Sequence, residues 1–148
     1  MAFNGNFMCT SFKTELLKGV HNFTGASNIF KLAMYTNSAS FNAATTAYTS
    51  GNEVSGTNYT AKGNAVTTVT PTNSGTTAFL DMNNVVFTNV SISGVRGALI
   101  YNNAPQTPIT GKPTVCVLDF GSDKAASAGD FTVVMPTANA SNAIIRIA

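Results

Sequence analysis

Charged residues and tryptophan are scarce in this sequence of 148 residues. Asp, Glu, Lys and Arg make up 9% of the chain, and there is no Trp. A typical soluble domain carries about 25% charged residues. Intrinsic disorder combines low hydrophobicity with high net charge, so a chain with 44% hydrophobic residues and a net charge of +2 is not of that class. Covering a surface poor in Lys and Glu costs little desolvation free energy and little side-chain entropy. This composition therefore favours a protein that packs against neighbouring chains.

Histidine and cysteine are too few for most catalytic and metal sites. The only histidine is His21, and the two cysteines, Cys9 and Cys116, are far apart without a Cys-x-x-Cys spacing. A zinc site normally needs three or four Cys or His ligands, and any Ser-His-Asp triad would have to use His21. We therefore expect a structural histidine and two buried cysteines, which form a disulfide only if the fold brings them together. No catalytic residue, metal site or cofactor is predicted.

The sequence also lacks the patterns that indicate several classes of partner. The eight basic residues are scattered singly, so nothing indicates a nucleic-acid partner. No segment approaches the roughly 18 apolar residues of a membrane helix. The first ten residues lack the charged start and apolar stretch of a signal peptide, which predicts synthesis in the cytoplasm without export by the general route.

Two groups of charged residues require an interpretation. The segment Asp119-Phe-Gly-Ser-Asp123 contains a kinase-like Asp-Phe-Gly and two carboxylates that could hold calcium, but the accompanying kinase and EF-hand patterns are absent. We interpret it as a strand end followed by a turn. Glu53 and Arg96 lie in largely neutral surroundings, so a defined ion-pair partner is expected for each.

A short helix is predicted near the N-terminus, over about residues 10–23. Thr10 or Ser11 can cap it, Gly19 weakens it, and Asn22 with Gly25 is its expected end. Its apolar residues recur at spacings of three and four: Phe12, Leu16, Val20 and Phe23. Because such a stripe must be covered by a sheet or a partner, Phe12, Leu16 and Val20 are candidate interface residues.

The rest of the chain has the pattern of β-strands. Apolar residues alternate over Phe30–Tyr35, and further runs lie near 64–70, 77–82, 84–92, 95–101, 113–120, 130–135 and 143–147. Turn signals separate them at 71–75, 102–108, 121–123 and 136–139. We predict one all-β domain over 1–148, an antiparallel β-sandwich or jelly roll with one short N-terminal α-helix. The terminal strand is expected inside the fold rather than on a neighbour's sheet.

Several segments resemble small virion structural proteins of tailed bacteriophages. The first two are Phe30-Lys-Leu-Ala-Met-Tyr35 and Asn52-Glu-Val-Ser-Gly-Thr-Asn-Tyr59. Further segments are Gly97-Ala-Leu-Ile-Tyr101, Val117-Leu-Asp-Phe-Gly-Ser-Asp123, Asp130-Phe-Thr-Val and Asn142-Ala-Ile-Ile-Arg-Ile. The resemblance covers most of the chain and implies a component of the virion without catalytic residues. Within it, Gly56 is expected to supply a tight turn, Tyr59 a packed ring and Glu53 an anchoring acceptor.

Three functions follow as hypotheses. The first is a capsid cement or decoration protein that binds itself and the major capsid protein or another virion protein. The second is a tail, baseplate or fibre component of the same kind of particle. The third is a carbohydrate-binding β-sandwich module, which would need exposed aromatic rings on which sugars stack.

Overall fold

The computed structural model describes residues 3–24, 28–68, 70–104 and 111–148. Of these residues, 6% lie in one helix and 49% lie in strands or isolated β-bridges, and every strand pair is antiparallel. The elements are β1 (Phe7–Met8), α1 (Thr10–Leu17), β2 (Phe30–Thr36), β3 (Asn64–Ala65), β4 (Thr72–Ser74), β5 (Thr77–Leu80), β6 (Val85–Asn102), β7 (Thr114–Val133) and β8 (Ile145–Ile147). The prediction of a mostly β chain with one short helix is confirmed, and the sandwich or jelly roll stays a prediction.

The strands form two sheets. The larger has the order β1-β7-β6-β2-β3, and the smaller has the order β4-β5-β8. The C-terminal strand β8 therefore pairs inside its own chain, as expected. Two further predictions lie partly outside the described residues, namely the strand near 64–70, which includes residue 69, and the turn over 102–108.

The longest element is an antiparallel ribbon of two strands. β6 has 18 residues and β7 has 20, and they pair from Val85 with Val133 to Tyr101 with Thr114. The sequence had predicted two shorter strands in place of each. Shifts in register interrupt the regular pairing of the two strands, although the ribbon itself is continuous.

The predicted turn at 121–123 is wrong, because these residues lie inside β7. Between Val95 and Gly97 the register advances two residues on β6 and five on β7, from Lys124 to Asp119. The extra residues form a bulge in which Gly121 has a φ of 75°. A bulge and a turn both use a glycine in the left-handed region, so the two cannot be distinguished locally.

Strand β2 is buried on both faces rather than on one. Leu32 and Met34 point to one face and Ala33 and Tyr35 to the other, and all four have no exposed surface. The second face is covered by the segment that follows β2, in which Phe41 packs edge-on against Tyr35 at 4.6 Å between ring centroids.

Helix α1 is shorter than predicted and ends before residue 23. The Gly19 N–H donates to the Leu16 carbonyl (3.1 Å), and the Val20 N–H donates to the Glu15 carbonyl (3.0 Å). This is a Schellman ending, with Gly19 at a φ of 70°. Gly19 therefore ends the helix, whereas the expected end at Gly25 lies outside the described residues.

The start and the packing of α1 also differ from expectation. Its N-cap is Cys9, which makes no side-chain capping bond, rather than Thr10 or Ser11. Phe12 and Val20 are buried, and the partly buried Leu16 packs against the same core. The apolar stripe is therefore covered by its own chain. No helix among the described residues is long and apolar enough to cross a membrane.

Candidate functional site

The carboxylate of Glu53 is the centre of a network of hydrogen bonds. Its Oε2 accepts from the Tyr48 hydroxyl (2.6 Å), and its Oε1 accepts from the Tyr59 hydroxyl (2.8 Å) and the Lys62 N–H (2.7 Å). The backbone of Glu53 also forms a β-bridge with Tyr35 of β2. Glu53 is thus an anchoring acceptor for three donors, and no cation lies within 4 Å of it among the described residues.

The network joins distant parts of the chain and includes all four tyrosines. The Tyr59 hydroxyl accepts from the Met34 N–H (3.0 Å), the Tyr35 hydroxyl donates to the Thr49 carbonyl, and the Tyr101 hydroxyl donates to the Lys62 carbonyl. The ring of Tyr101 also lies 4.7 Å from that of Tyr48. Hydroxyl groups and one carboxylate therefore fasten the segment 48–62 to β2 and β6. The sequence predicted Glu53 and Tyr59 but gave no signal for the other three rings.

The tyrosine hydroxyls of this network resist ionisation. Burial is the main cause that raises the pKa of all four, and the negative charge of Glu53 raises each further. For Tyr101 the pKa rises to about 12. Groups that stay protonated in this way act as hydrogen-bond donors rather than as bases or nucleophiles at neutral pH.

Gly56 lies beside this network and permits a close approach of two backbones. A Cβ atom on Gly56 would lie 2.0 Å from the Ser91 carbonyl oxygen of β6. Gly56 also begins a turn, because its carbonyl accepts from the Tyr59 N–H (3.2 Å), but the left-handed residue of that turn is Asn58, with a φ of 61°. The Tyr59 ring stacks on Phe87 of β6 at 5.5 Å. The structure therefore gathers Glu53, Gly56 and Tyr59 at one place, where they hold a loop against the sheet.

Arg96 lies apart from this network and has its partner inside the chain. Its Nε is 3.0 Å from the Asp119 Oδ1, which also accepts from the Gly121 N–H (2.8 Å). Burial alone would raise the pKa of Asp119, but the bonds from Gly121 and Arg96 and the charge of Arg96 lower it overall. The pair holds the start of the β7 bulge against β6. Asp119 is therefore an anchor for the ribbon rather than the strand-end residue that the sequence predicted.

His21 is the centre of a second buried network. Asn102 Nδ2 lies 3.2 Å from His21 Nδ1 and donates to Asn28 Oδ1 (2.7 Å), while His21 Nε2 lies 2.8 Å from Glu15 Oε2. An amide nitrogen can only donate, so Nδ1 is the acceptor and the proton resides on Nε2. The ring centroid of Phe12 is 4.9 Å from that of His21. His21 thus ties α1 to the end of β6, as a structural histidine.

Burial of His21 outweighs the attraction of Glu15. Burial lowers the pKa of His21, while the hydrogen bond and the charge of Glu15 raise it by less. The histidine side chain has no exposed surface. Both ring nitrogens are engaged, so a substrate could reach neither without opening the network.

The two cysteines are brought near one another but remain free thiols. Cys116 pairs across from Met8 in β1, and the Cys9 N–H donates to the Val115 carbonyl (3.0 Å). Both side chains are buried, and burial raises the pKa of each thiol. Among the residues that the structure describes, no three His, Cys, Asp or Glu side chains are grouped as metal ligands.

The part of the ribbon over residues 118–134 is mostly exposed. Two grooves lie along it, of about 490 and 520 Å³. Both are lined by Phe120, Val133 and Val134, and Val134 is 72% exposed. The sequence predicted no functional residue here, because the polar and small residues of this segment resemble a turn.

Comparisons with protein-family models, with curated proteins and with solved structures found no match to this chain.

Proposed function

We propose that this chain is a non-enzymatic structural protein of a tailed-phage particle, and specifically a cement protein that stabilises the head. The single observation that carries this proposal is the exposed ribbon over residues 118–134, whose two grooves are lined by apolar side chains together with polar and charged ones. An apolar centre with a polar rim is the usual anatomy of a protein interface. The assignment to a tailed-phage particle is based on the likeness of several segments to phage virion proteins.

Helix α1 does not supply the contact surface. Its stripe is covered by its own core, so a partner would meet only its outer face, where Leu17 is 92% exposed. The ribbon is the better candidate because its grooves combine several apolar side chains. Binding through the ribbon leaves the Glu53 and His21 networks intact.

The non-enzymatic part of the proposal is supported by the use of the titratable groups. Glu53 accepts three hydrogen bonds within the chain, and both ring nitrogens of His21 are engaged. A general acid or base must reach the proton that it transfers. These groups instead hold loops against the sheets.

The aromatic rings favour the structural proposal over a carbohydrate-binding module. Stacking on sugars needs an exposed ring, and the ten phenylalanines and four tyrosines are all buried or half-buried. The tyrosines are further engaged in the Glu53 network. Glycan-array binding at useful affinity would contradict this part of the proposal.

We also propose that the two sheets pack as a sandwich. Leu80 of β5 and Ile145 of β8 belong to the same buried cluster as Leu32 of β2 and Leu99 of β6. Such a shared core is what two sheets packed face to face require.

Extraction of purified phage particles tests the proposed mode of attachment. Contacts that are apolar or made by Thr and Asn depend little on ionic strength, since salt screens only charges. We expect the protein to stay on the head in high salt and to leave in detergent or denaturant. Release by high salt without release by detergent would contradict this mode of attachment.

A further inference from the structure

His21, Asn102 and Asn28 form a buried chain of side chains whose hydrogen bonds have a defined direction. Asn102 Nδ2 donates to both of its neighbours, to His21 Nδ1 (3.2 Å) and to Asn28 Oδ1 (2.7 Å). All three residues are at most 8% exposed. Because bulk water does not reach these groups, a change of donor to acceptor at one member must be matched by the next member of the chain.

Two backbone N–H groups depend on the direction of this chain. The Asn22 N–H donates to Asn28 Oδ1 (2.9 Å), and the Ala104 N–H donates to Asn102 Oδ1 (3.1 Å). Asn22 lies in the segment after α1, and Ala104 follows the end of β6. Each of the two side-chain amides therefore holds one of these N–H groups for as long as its oxygen faces it.

The amide nitrogen of Asn28 is the one group of this network that is left over. Asn28 Nδ2 is buried and has no hydrogen-bond partner among the described residues. A buried donor without a partner is costly and rare in folded proteins. Rotation of this amide by half a turn would break no bond on the nitrogen side, and it would bring a donor to face Asn102. The network thus contains a member that is able to reverse.

Protonation of His21 requires this reversal. Nε2 already carries a proton that faces Glu15 Oε2 (2.8 Å), so a second proton enters at Nδ1, where it opposes the Asn102 nitrogen. If both amides rotate, the Nδ1–H group and Asn28 Nδ2 each donate to Asn102 Oδ1. The two amide nitrogens then face the backbone N–H groups that their oxygens held before, and those N–H groups lose their acceptors.

Glu15 supplies the only charge that faces His21 among the described residues. Its hydrogen bond and its charge favour the protonated ring, but burial opposes protonation more strongly, so the pKa of His21 lies below the usual 6.5. The other groups packed against the ring, from α1, the segment after it, β2 and β6, are uncharged: Phe12, Phe23, Phe30 and Asn102. His21 is therefore neutral at neutral pH and takes up its proton only in acid.

We propose that His21, Asn102 and Asn28 form a pH-operated latch. Protonation of His21 Nδ1 reverses the two amides and thereby releases the N–H groups of Asn22 and Ala104. Neutral and protonated His21 each fit one direction of the chain, which makes this element bistable. The release is local, in contrast to a general loss of stability in acid, and it does not depend on the proposed function.

Amide hydrogen exchange measured by NMR tests the latch in the wild type. After correction for the intrinsic effect of pH, exchange at Asn22 and Ala104 should accelerate about tenfold as the His21 ring titrates, because each N–H loses one hydrogen bond. The Val54 N–H donates to the Met34 carbonyl (2.9 Å) and is the control, which should keep its protection. Equal acceleration at all three amides, or none at Asn22 and Ala104 once the ring is charged, would overturn the latch.

His21→Gln assigns the effect to the histidine. This variant has no ring to protonate but retains Glu15, so the pH dependence of exchange at Asn22 and Ala104 should disappear. If it persists, a carboxylate is responsible and the latch is wrong.

Asn102→Asp tests the direction of the chain at neutral pH. The carboxylate places an oxygen against His21 Nδ1 and against Asn28 Oδ1, so it should raise the pKa of His21 and turn the Asn28 amide. The Asn22 N–H should then exchange rapidly, whereas the Ala104 N–H should stay protected, because the carboxylate retains an acceptor for it. Protection of the Asn22 N–H in the folded variant would contradict the reversal, and the wild-type titration decides the matter if the variant does not fold.

Discussion

Replacing Glu53 with Gln should destabilise the protein strongly, although the side chain keeps its shape. Gln retains an oxygen for the Tyr59 hydroxyl and the Lys62 N–H, but its Nε2 then faces the Tyr48 hydroxyl in place of Glu53 Oε2. The Tyr48 hydroxyl oxygen can then accept from Nε2, but its proton loses its acceptor. The opposite amide orientation is worse, because it places two donors against Nε2.

The magnitude follows from the three bonds. A hydrogen bond to a charged group contributes about 1.5–3 kcal/mol and a neutral one about 1 kcal/mol. The bond with Tyr48 reverses its direction and leaves the hydroxyl proton unpaired, and the other two bonds become neutral. Partial exposure of Glu53 reduces the total, so we expect Glu53→Gln to cost about 2–3 kcal/mol. With an unfolding entropy of about 2.1 cal/mol/K per residue, this corresponds to a Tm lowered by roughly 6–10 °C.

Urea unfolding followed by circular dichroism measures this loss. Asp81→Asn is the matched control, because the Asp81 carboxylate makes none of the described hydrogen bonds, and it should change the free energy of unfolding by less than about 0.5 kcal/mol. In a double-mutant cycle, Tyr48→Phe should relieve part of the Glu53→Gln cost, since it removes the stranded donor. Equal stabilities of Glu53→Gln and Asp81→Asn would refute the network as a source of stability.

Alkaline titration gives a second view of the same network. The folded-state pKa values of the tyrosines are raised, so their contribution to stability is fully present below the ordinary value near 10 and is lost as the pH rises through the folded values. Tyrosinate absorbance should therefore develop later in the native than in the unfolded protein, with Tyr101 near 12. Glu53→Gln should shift the native titration to lower pH, because it removes the neighbouring charge. Coincident native and unfolded titrations would contradict the burial of these hydroxyls.

Three further predictions concern the remaining structural residues. Gly56→Ala should lower the free energy of unfolding in urea by about 2–4 kcal/mol, because its Cβ would overlap a carbonyl oxygen of β6. The control Gly51→Ala should lower it little, since the nearest atom to its Cβ lies at 3.5 Å. Equal losses would contradict the close approach at Gly56. Folding lowers the pKa of His21, so the contribution of this residue to stability is present above the unfolded pKa of 6.5 and is lost as the pH falls below that value. Between pH 7 and 5 the wild type should therefore lose more stability than His21→Gln. Cys9 and Cys116 should react with a thiol reagent only after unfolding, and rapid reaction of the native protein would contradict their burial.

The fold was predictable where a local pattern determines the structure. Alternation of apolar residues placed β2 correctly, and the scarcity of helical patterns indicated a mostly β chain. The end of α1 was misplaced because Gly19 was read as a weak helical residue rather than as a left-handed C′ residue. Gly121 was interpreted as part of a turn because its left-handed conformation suits a turn and a bulge alike.

The candidate sites depended on contacts that no local pattern encodes. Only the fold brings the four tyrosines together: the hydroxyls of Tyr48 and Tyr59 donate to the Glu53 carboxylate. Those of Tyr35 and Tyr101 donate to nearby backbone carbonyls. The pairing of Arg96 with Asp119 likewise depends on the register of β6 and β7. The exposed ribbon was missed because its small and polar residues resemble those of loops.

The copy number of this protein per phage particle, measured by quantitative mass spectrometry against the major capsid protein, tests the proposed function most directly. A cement protein should be present at a ratio near one to one, or at a simple fraction of it, because it covers a lattice of identical sites. A few to a few dozen copies would move the protein to the tail. Complete absence from purified particles would contradict the account of this chain as a virion protein.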